Sequence, residues 1–375
     1  MEMGADSSSL RTRLPHVLAA LYGLAIVYAS LEPFQPWLAP PPNTPFFLFG
    51  DSVRWTRNDA LLNVIAYVPF GLFVALMRRG LPPKRRIIYA VLIGAAMSFS
   101  MESLQMYIPS RVASAFDLAA NTAGAALGGI LATALARSAL TRESIYRTRS
   151  RLFLPGHLGD VGLSLMLLWL VAQTNPGIPL FSFTFENEPT APAIATPSVR
   201  EALPVIRHDK ADIVVQAATT SFQVLGVGLF AALLMRQRRR TGTIVAGLIL
   251  GALMMKSMAA AFMLRPTIWQ AWVKPGTLIG VAVGALALRV AIMLPRPVQV
   301  AACAIALLSS LGAPVLAPET LAARAPAAIF DWHFGQLMNY NGLTRAALLV
   351  WPVLTAVWLF ALAGKPAWGK PPEPA

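Results

Sequence analysis

The sequence predicts an all-α, polytopic transmembrane bundle of about ten spans, with a diverged parallel internal repeat of four-helix modules. Of the 375 residues, 56% are hydrophobic and only 13% are charged, with a mean hydropathy of +0.59. Soluble domains carry about 25% charged residues, so water cannot solvate this chain as a set of globular domains. Apolar runs of about 18 to 22 residues recur throughout, each long enough to cross a hydrocarbon core about 30 Å thick. The net charge of +14 is gathered into short runs between those segments. Together these features exclude a soluble enzyme, and they exclude disordered chains and transmembrane β-barrels, neither of which is written as long unbroken apolar runs.

In chain order the spans fall near 14–32, 59–77, 87–106, 115–136, 157–174, 212–235, 243–263, 276–294, 298–316 and 345–363. Arg11 and Arg13 precede the first. Arg78, Arg79, Lys84, Arg85 and Arg86 follow the second, Arg137, Arg142, Arg147, Arg149 and Arg151 the fourth, and Arg236, Arg238, Arg239 and Arg240 the sixth. Basic clusters in alternate short loops are the positive-inside signal and place both termini on the cytoplasmic side. They lack the interleaved aromatics of a single-strand binding surface, so no nucleic-acid partner is expected. The one cysteine, Cys303, lies in an apolar run and reads as a small buried hydrophobe, without a disulfide framework or a thiolate metal site. Ala29 and Ser30 give the first span a signal-like end. Retention of that span is expected because the repeat uses it.

The outside loops become 33–58, 107–114, 175–211, 264–275 and 317–344. Pro36, Pro40, Pro41, Pro42 and Pro45 in the first, with Pro176, Pro179, Pro189, Pro192, Pro197 and Pro204 in the third, suit extended, backbone-solvated segments and no packed external domain. Comparison at a fixed offset shows a duplication. Gly71-Leu72-Phe73-Val74-Ala75-Leu76 matches Gly228-Leu229-Phe230-Ala231-Ala232-Leu233, and Gly94-Ala95-Ala96-Met97 matches Gly251-Ala252-Leu253-Met254. Ser100-Met101 and Pro109 fall on Ser257-Met258 and Pro266, all at one shift of about 157 residues. The organisation expected is a four-helix module over 14–136, a degenerate second copy over 157–294 and two further helices over 298–363. Four-span copies keep the same orientation, unlike the inverted repeats of many transporters.

The copies part at their polar residues. Asp59 and Asn63 lie four apart, Glu102 and Gln105 three apart, and Asp117 and Asn121 four apart, so each pair shares one helix face. Three helix ends thus bring carboxylates and amides to one depth under the outer interface, with Arg111 in the loop above them. Ionisable groups there are costly unless paired or hydrated, and normally mark a site. The bland reading is structural: Asp117 as a helix cap, Asn63 and Asn121 bonding neighbouring helices, Glu102 with Arg111 as a clamp. Gly124-x-x-x-Gly128 supports close helix packing, with Pro69 and Gly71 on the partner span. In the second copy the equivalent positions are Thr220, Ala259, Phe262, Ile268, Lys274 and Leu278, and the acidic cluster is gone.

The run Asn63-x-x-x-Tyr67-x-Pro69-Phe70-Gly71, then Glu102-x-x-Gln105, Arg111, and Asp117-x-x-x-Asn121-x-x-Gly124-x-x-x-Gly128, resembles the VanZ-like family over about residues 14 to 136. The resemblance implies a four-helix membrane module, associated in some members with resistance to glycopeptide antibiotics such as teicoplanin, in a bacterial inner or plasma membrane. The second half departs from the motif.

Other chemistry is thin. There is no phosphate loop, no Cys-x-x-Cys and no His-Glu-x-x-His. His16, His157, His208 and His333 are scattered, so neither cofactor nor metal is expected. The aromatic stretch Phe330-Asp331-Trp332-His333-Phe334, followed by Asn339-Tyr340-Asn341-Gly342, reads as an interfacial belt or a lid. Three functions follow. The first is binding of membrane lipid headgroups, a lipid-linked envelope component or an amphiphilic antibiotic by Asn63, Glu102, Gln105, Arg111, Asp117 and Asn121. The second is an intramembrane enzyme with Glu102 as acid or base, although Ser103 and Ser110 have no histidine partner to make a nucleophile. The third, a proton-coupled transporter, is disfavoured by the parallel copies.

Overall fold

The computed structural model describes residues 12–50, 57–137, 147–175, 210–236, 240–263, 273–316 and 336–364. Among them are ten long helices and no strand: α1 Leu14–Leu31, α2 Arg57–Met77, α3 Pro83–Gln105, α4 Ala115–Arg137, α5 Gly156–Gln173, α6 Lys210–Leu234, α7 Thr241–Met263, α8 Pro275–Ala291, α9 Arg296–Leu316 and α10 Gln336–Ala363. Hydrocarbon offers the backbone no hydrogen-bond partners, so apolar runs of this length close their bonds within one helix. Eight of the helices are long and apolar enough to cross a membrane. The 17-residue α8 and the described apolar part of α9, Arg296–Ser310, are shorter. The tenth helix begins nine residues before the expected 345, so Asn339 to Gly342 are helical, not loop. Phe330 to Phe334 lie outside the described residues, as do 176–209 of the long third loop.

The chain divides into two compact units, Met1–Ser164 and Leu165–Ala375. In the first, α2 and α4 form the most extensive helix pair and α3 packs on α4. Small residues set that approach: a Cβ at Gly124 would collide with the Val64 carbonyl, and one at Gly128 with the Val68 carbonyl. Pro69 sits inside α2, where it cannot donate a helical hydrogen bond. One turn earlier, the Tyr22 hydroxyl of α1 donates to the Ala66 carbonyl at 2.8 Å. Outward faces stay apolar, with Leu61, Ile65, Ile88 and Leu92 each more than half exposed, as lipid-facing surfaces should be.

Both ends of α1 are tied down. At its start, the buried Asp160 carboxylate accepts from the Arg13 backbone N–H at 2.6 Å and the Thr12 hydroxyl at 2.7 Å, and pairs with the Arg149 guanidinium. An acidic group there satisfies the orphan N–H groups of the helix and complements its dipole. At its other end Pro33 and Pro36 stop the helix and begin an extended strap over residues 33–50. The strap is extended as expected, and it is also docked: the Leu38 N–H donates to the Tyr107 carbonyl at 2.8 Å, and Phe46 and Phe47 pack on Phe99 of α3.

In the second unit the most extensive pair is α6 with α8. Gly276, Gly280 and Gly284 of α8 lie against the carbonyls of Ile213, Ala217 and Ser221. The Trp351 indole of α10 donates to the Leu165 carbonyl at 2.9 Å, and Phe230 packs edge-on against Trp351 and Trp358.

Candidate functional site

The polar cluster lies where α2, α3 and α4 meet in the first unit. From α2 and α4 come the i, i+4 pairs Asp59 with Asn63 and Asp117 with Asn121, each on one helix face, and from α3 comes Glu102. The Asn63 amide of α2 donates to the Asp117 carboxylate of α4 at 2.6 Å. Glu102 of α3 is only 3% exposed, and one of its carboxylate oxygens accepts from the Ser114 backbone N–H at 2.8 Å. Glu102 and Asp117 lie within electrostatic reach of one another, and Asp59 within reach of Asp117. Among apolar spans, such an arrangement concentrates hydrogen-bond acceptors at low dielectric.

One turn deeper, the Asn121 amide donates to the Ser98 hydroxyl at 2.9 Å. Tyr67 lies in the same group, within electrostatic reach of Glu102 and beside Ser98. Asn121 is 6% exposed and Tyr67 4%; the Asn121 Oδ1 is buried without a hydrogen-bond partner, while the Tyr67 hydroxyl has the Ser98 hydroxyl beside it. Buried polar atoms of native proteins are nearly always satisfied, so the Asn121 Oδ1 is an open valence of the cluster. Tyr67 is a member of the motif, but its hydroxyl was not among the expected binding residues. Its signal was its place four residues after Asn63, on the same helix face.

The structure separates Gln105 and Arg111 from this group. The Gln105 amide donates to the Ser30 carbonyl at 2.9 Å. The Arg111 guanidinium donates through Nε to the Glu32 carbonyl at 2.8 Å and through Nη2 to the Ala29 carbonyl at 2.9 Å. These are the orphan carbonyls at the end of α1, where a cation also complements the helix dipole. Burial lowers the basicity of Arg111, and Glu32 beside it opposes that. Burial likewise pushes the Glu32 carboxyl above the ordinary carboxylate range, with Arg111 drawing it back. The six expected residues therefore form two groups: Asn63, Glu102, Asp117 and Asn121 in the cluster, Gln105 and Arg111 on α1. Gly124 and Gly128 pack α4 on α2, and Gly71 sits against Ala125.

Besides Asp160 and Glu32, a buried lysine escaped the sequence reading. Lys256 of α7 is fully buried, and its Nζ donates to the Asn175 carbonyl at 2.9 Å. The Asn175 amide in turn donates to the Thr344 hydroxyl of α10 at 2.7 Å. Its signal was plain: a single charge inside an apolar run is expensive and rarely accidental.

The VanZ/LLP1 family model matches residues 9–137, the stretch that holds α1 to α4 and the whole polar cluster. No curated protein and no solved structure matches the chain.

Proposed function

Starting from a multi-pass membrane protein whose amino-terminal module is VanZ-like, we propose that this module binds the polar headgroup of a cell-envelope lipid or amphiphilic, glycopeptide-type compound. The observation that carries the reading is the buried acceptor set: Glu102 within electrostatic reach of Asp117, with the Asn121 Oδ1 unpartnered behind them. With Arg111 and Gln105 engaged on α1, the cluster favours a ligand rich in donors, such as hydroxyls or an ammonium group, over a bare phosphate. The wider proposal places the protein in a bacterial plasma membrane with ten spans and both termini cytoplasmic, and a role in antibiotic resistance follows from the same reading.

The second unit fits a diverged copy of the first. Gly284 rests on the Ser221 carbonyl as Gly124 rests on that of Val64, and the Leu288 side chain meets Gly228 where Gly128 meets Gly71. That contact register shifts the fourth helix by three residues beyond the offset of 157. Asp117 and Asn121 then correspond to Thr277 and Val281, so on either register the copy carries no carboxylate and serves as scaffold.

Photo-crosslinking to native membrane lipids tests the reading, with mass spectrometry of the adducts. Wild-type protein should capture a headgroup class that an equally folded Asn63→Ala/Glu102→Gln/Asp117→Asn variant does not. Identical adduct profiles would reduce the cluster to helix glue. An intramembrane enzyme is the second reading, favoured by a buried carboxylate facing a second one in the manner of an acid–base pair. It requires that Glu102→Gln abolish turnover of the captured lipid while leaving its binding intact.

A further inference from the structure

Beside the polar cluster, the strap and the loop leading into α4 enclose a cleft of about 650 Å³, within the size range of small-molecule sites. Its walls are Pro40, Pro45 and Phe47 on one side and Ile108, Val112 and Phe116 on the other. Prolines carry no backbone N–H, so the strap presents few donors to the interior. The polar side chains in the lining are engaged elsewhere. The Thr44 hydroxyl donates to the Pro41 carbonyl at 2.7 Å, and the Ser114 hydroxyl accepts from the Phe116 N–H at 3.1 Å. The Ser114 amide is held by Glu102, and Arg111 is spread over the carbonyls of Ala29 and Glu32. A headgroup entering here would lose its water for little return, whereas hydrocarbon needs no partners. At the rim, Leu38 is 55% exposed and Val112 59%. The cleft lies at the end of the bundle away from the basic loops, at the level where the spans meet the interface.

We propose that this cleft seats a fatty-acyl chain of an outer-leaflet lipid, folded up from the bilayer between the strap and the 108–116 loop. The inference rests on the lining of the cleft and stands whether or not the neighbouring carboxylates bind a headgroup. The experiment uses the full chain in phosphatidylcholine vesicles doped with a phosphatidylcholine that carries a diazirine at the end of one acyl chain. Chain ends in a fluid bilayer concentrate at the midplane but also reach the interface by upturning, so photo-adducts on 38–47 and 108–116 report cleft entry where they decline on filling the cleft. Adducts there are expected, and they should fall by roughly tenfold, equivalent to a binding loss of about 1.4 kcal/mol, when Ala113→Trp fills the space. Adducts on Leu61 and Ile65 should be unchanged and report that this variant remains folded. A second filling variant, Ala39→Phe, approaches from the strap and should act alike. Adducts confined to the spans, or cleft adducts indifferent to both variants, would overturn the proposal. Glu102→Gln/Asp117→Asn should leave the cleft adducts intact, which separates failure of the headgroup reading from failure of this one.

Discussion

In the first unit the buried ionisable groups at the helix junction are carboxylates, Glu102 and Asp117, gathered near the ends of α3 and α4. In the second a lysine, Lys256, lies well inside α7. The carboxyls lie within electrostatic reach of each other and the Asn121 Oδ1 is open beside them, whereas Lys256 and Asn175 link α7 to the start of α10 through Thr344. Two neighbouring carboxyls offer acceptors with no donor between them and hold helices together poorly, whereas a lysine Nζ donating to a carbonyl holds them well. The difference supports the proposed division of roles, with acceptors collected for a ligand in one unit and polarity consumed by packing in the other.

The largest effect that could break this contrast is at Lys256. Lys256→Glu sets a carboxylate against the Asn175 carbonyl, and a loss of about 3–5 kcal/mol, the cost of breaking a buried charged contact, is expected. Thermal unfolding in detergent checks it, and a stability equal to wild type would remove the structural role of this lysine.

Next in size is a pair of glycines that the proposed repeat aligns, Gly94 and Gly251. A Cβ on Gly94 would press into the Ala125 side chain, whereas one on Gly251 meets nothing within 4 Å. Gly94→Ala should therefore cost about 1–3 kcal/mol by overpacking. Gly251→Ala should be neutral or gain up to about 1 kcal/mol from helix propensity. Equal effects on melting temperature would show that α3 and α7 pack alike.

Arg111→Ala sharpens the division within the first unit. It strips two carbonyls at the end of α1 of their donors and should cost about 1–3 kcal/mol, with headgroup capture retained once folding is matched. Lysine at this position should rescue little, because it lacks the planar fork that spans the Ala29 and Glu32 carbonyls. Loss of headgroup capture in a folded Arg111→Ala protein would return the arginine to the binding site.

The smallest effect concerns pH. The folded protein holds a proton on Glu32 over a range in which the unfolded chain has released it, because burial raises this carboxyl. Its contribution is complete below the ordinary value of about 4.3 and fades as pH rises through the raised one. Melting temperatures of wild type should drift down slightly across that window, and Glu32→Gln should flatten the drift.

The helices were readable because hydrocarbon allows few alternatives to them, and the shared depth of the helix ends was readable from topology, though not that Asn63 would donate to Asp117 in particular. Arg111 and Gln105 were harder. Both are long side chains at a helix end, and the carbonyls of Ala29, Ser30 and Glu32 that compete for them become visible only when α1 is placed. The docked strap was equally hidden, since its prolines predict an extended backbone but not which aromatic, here Phe99, its phenylalanines will meet. Lys256 was legible as a lone charge in an apolar run, but its partners come from chain segments more than 80 residues away.

The most direct test of the assignment of ligand binding to the first unit is native mass spectrometry of the lipids retained by three purified, equally folded proteins. These are wild type, Glu102→Gln/Asp117→Asn and Lys256→Met. The account predicts a lipid class held by wild type and by Lys256→Met and lost from the carboxylate variant. Retention of that class by the carboxylate variant, with loss from Lys256→Met, would contradict it.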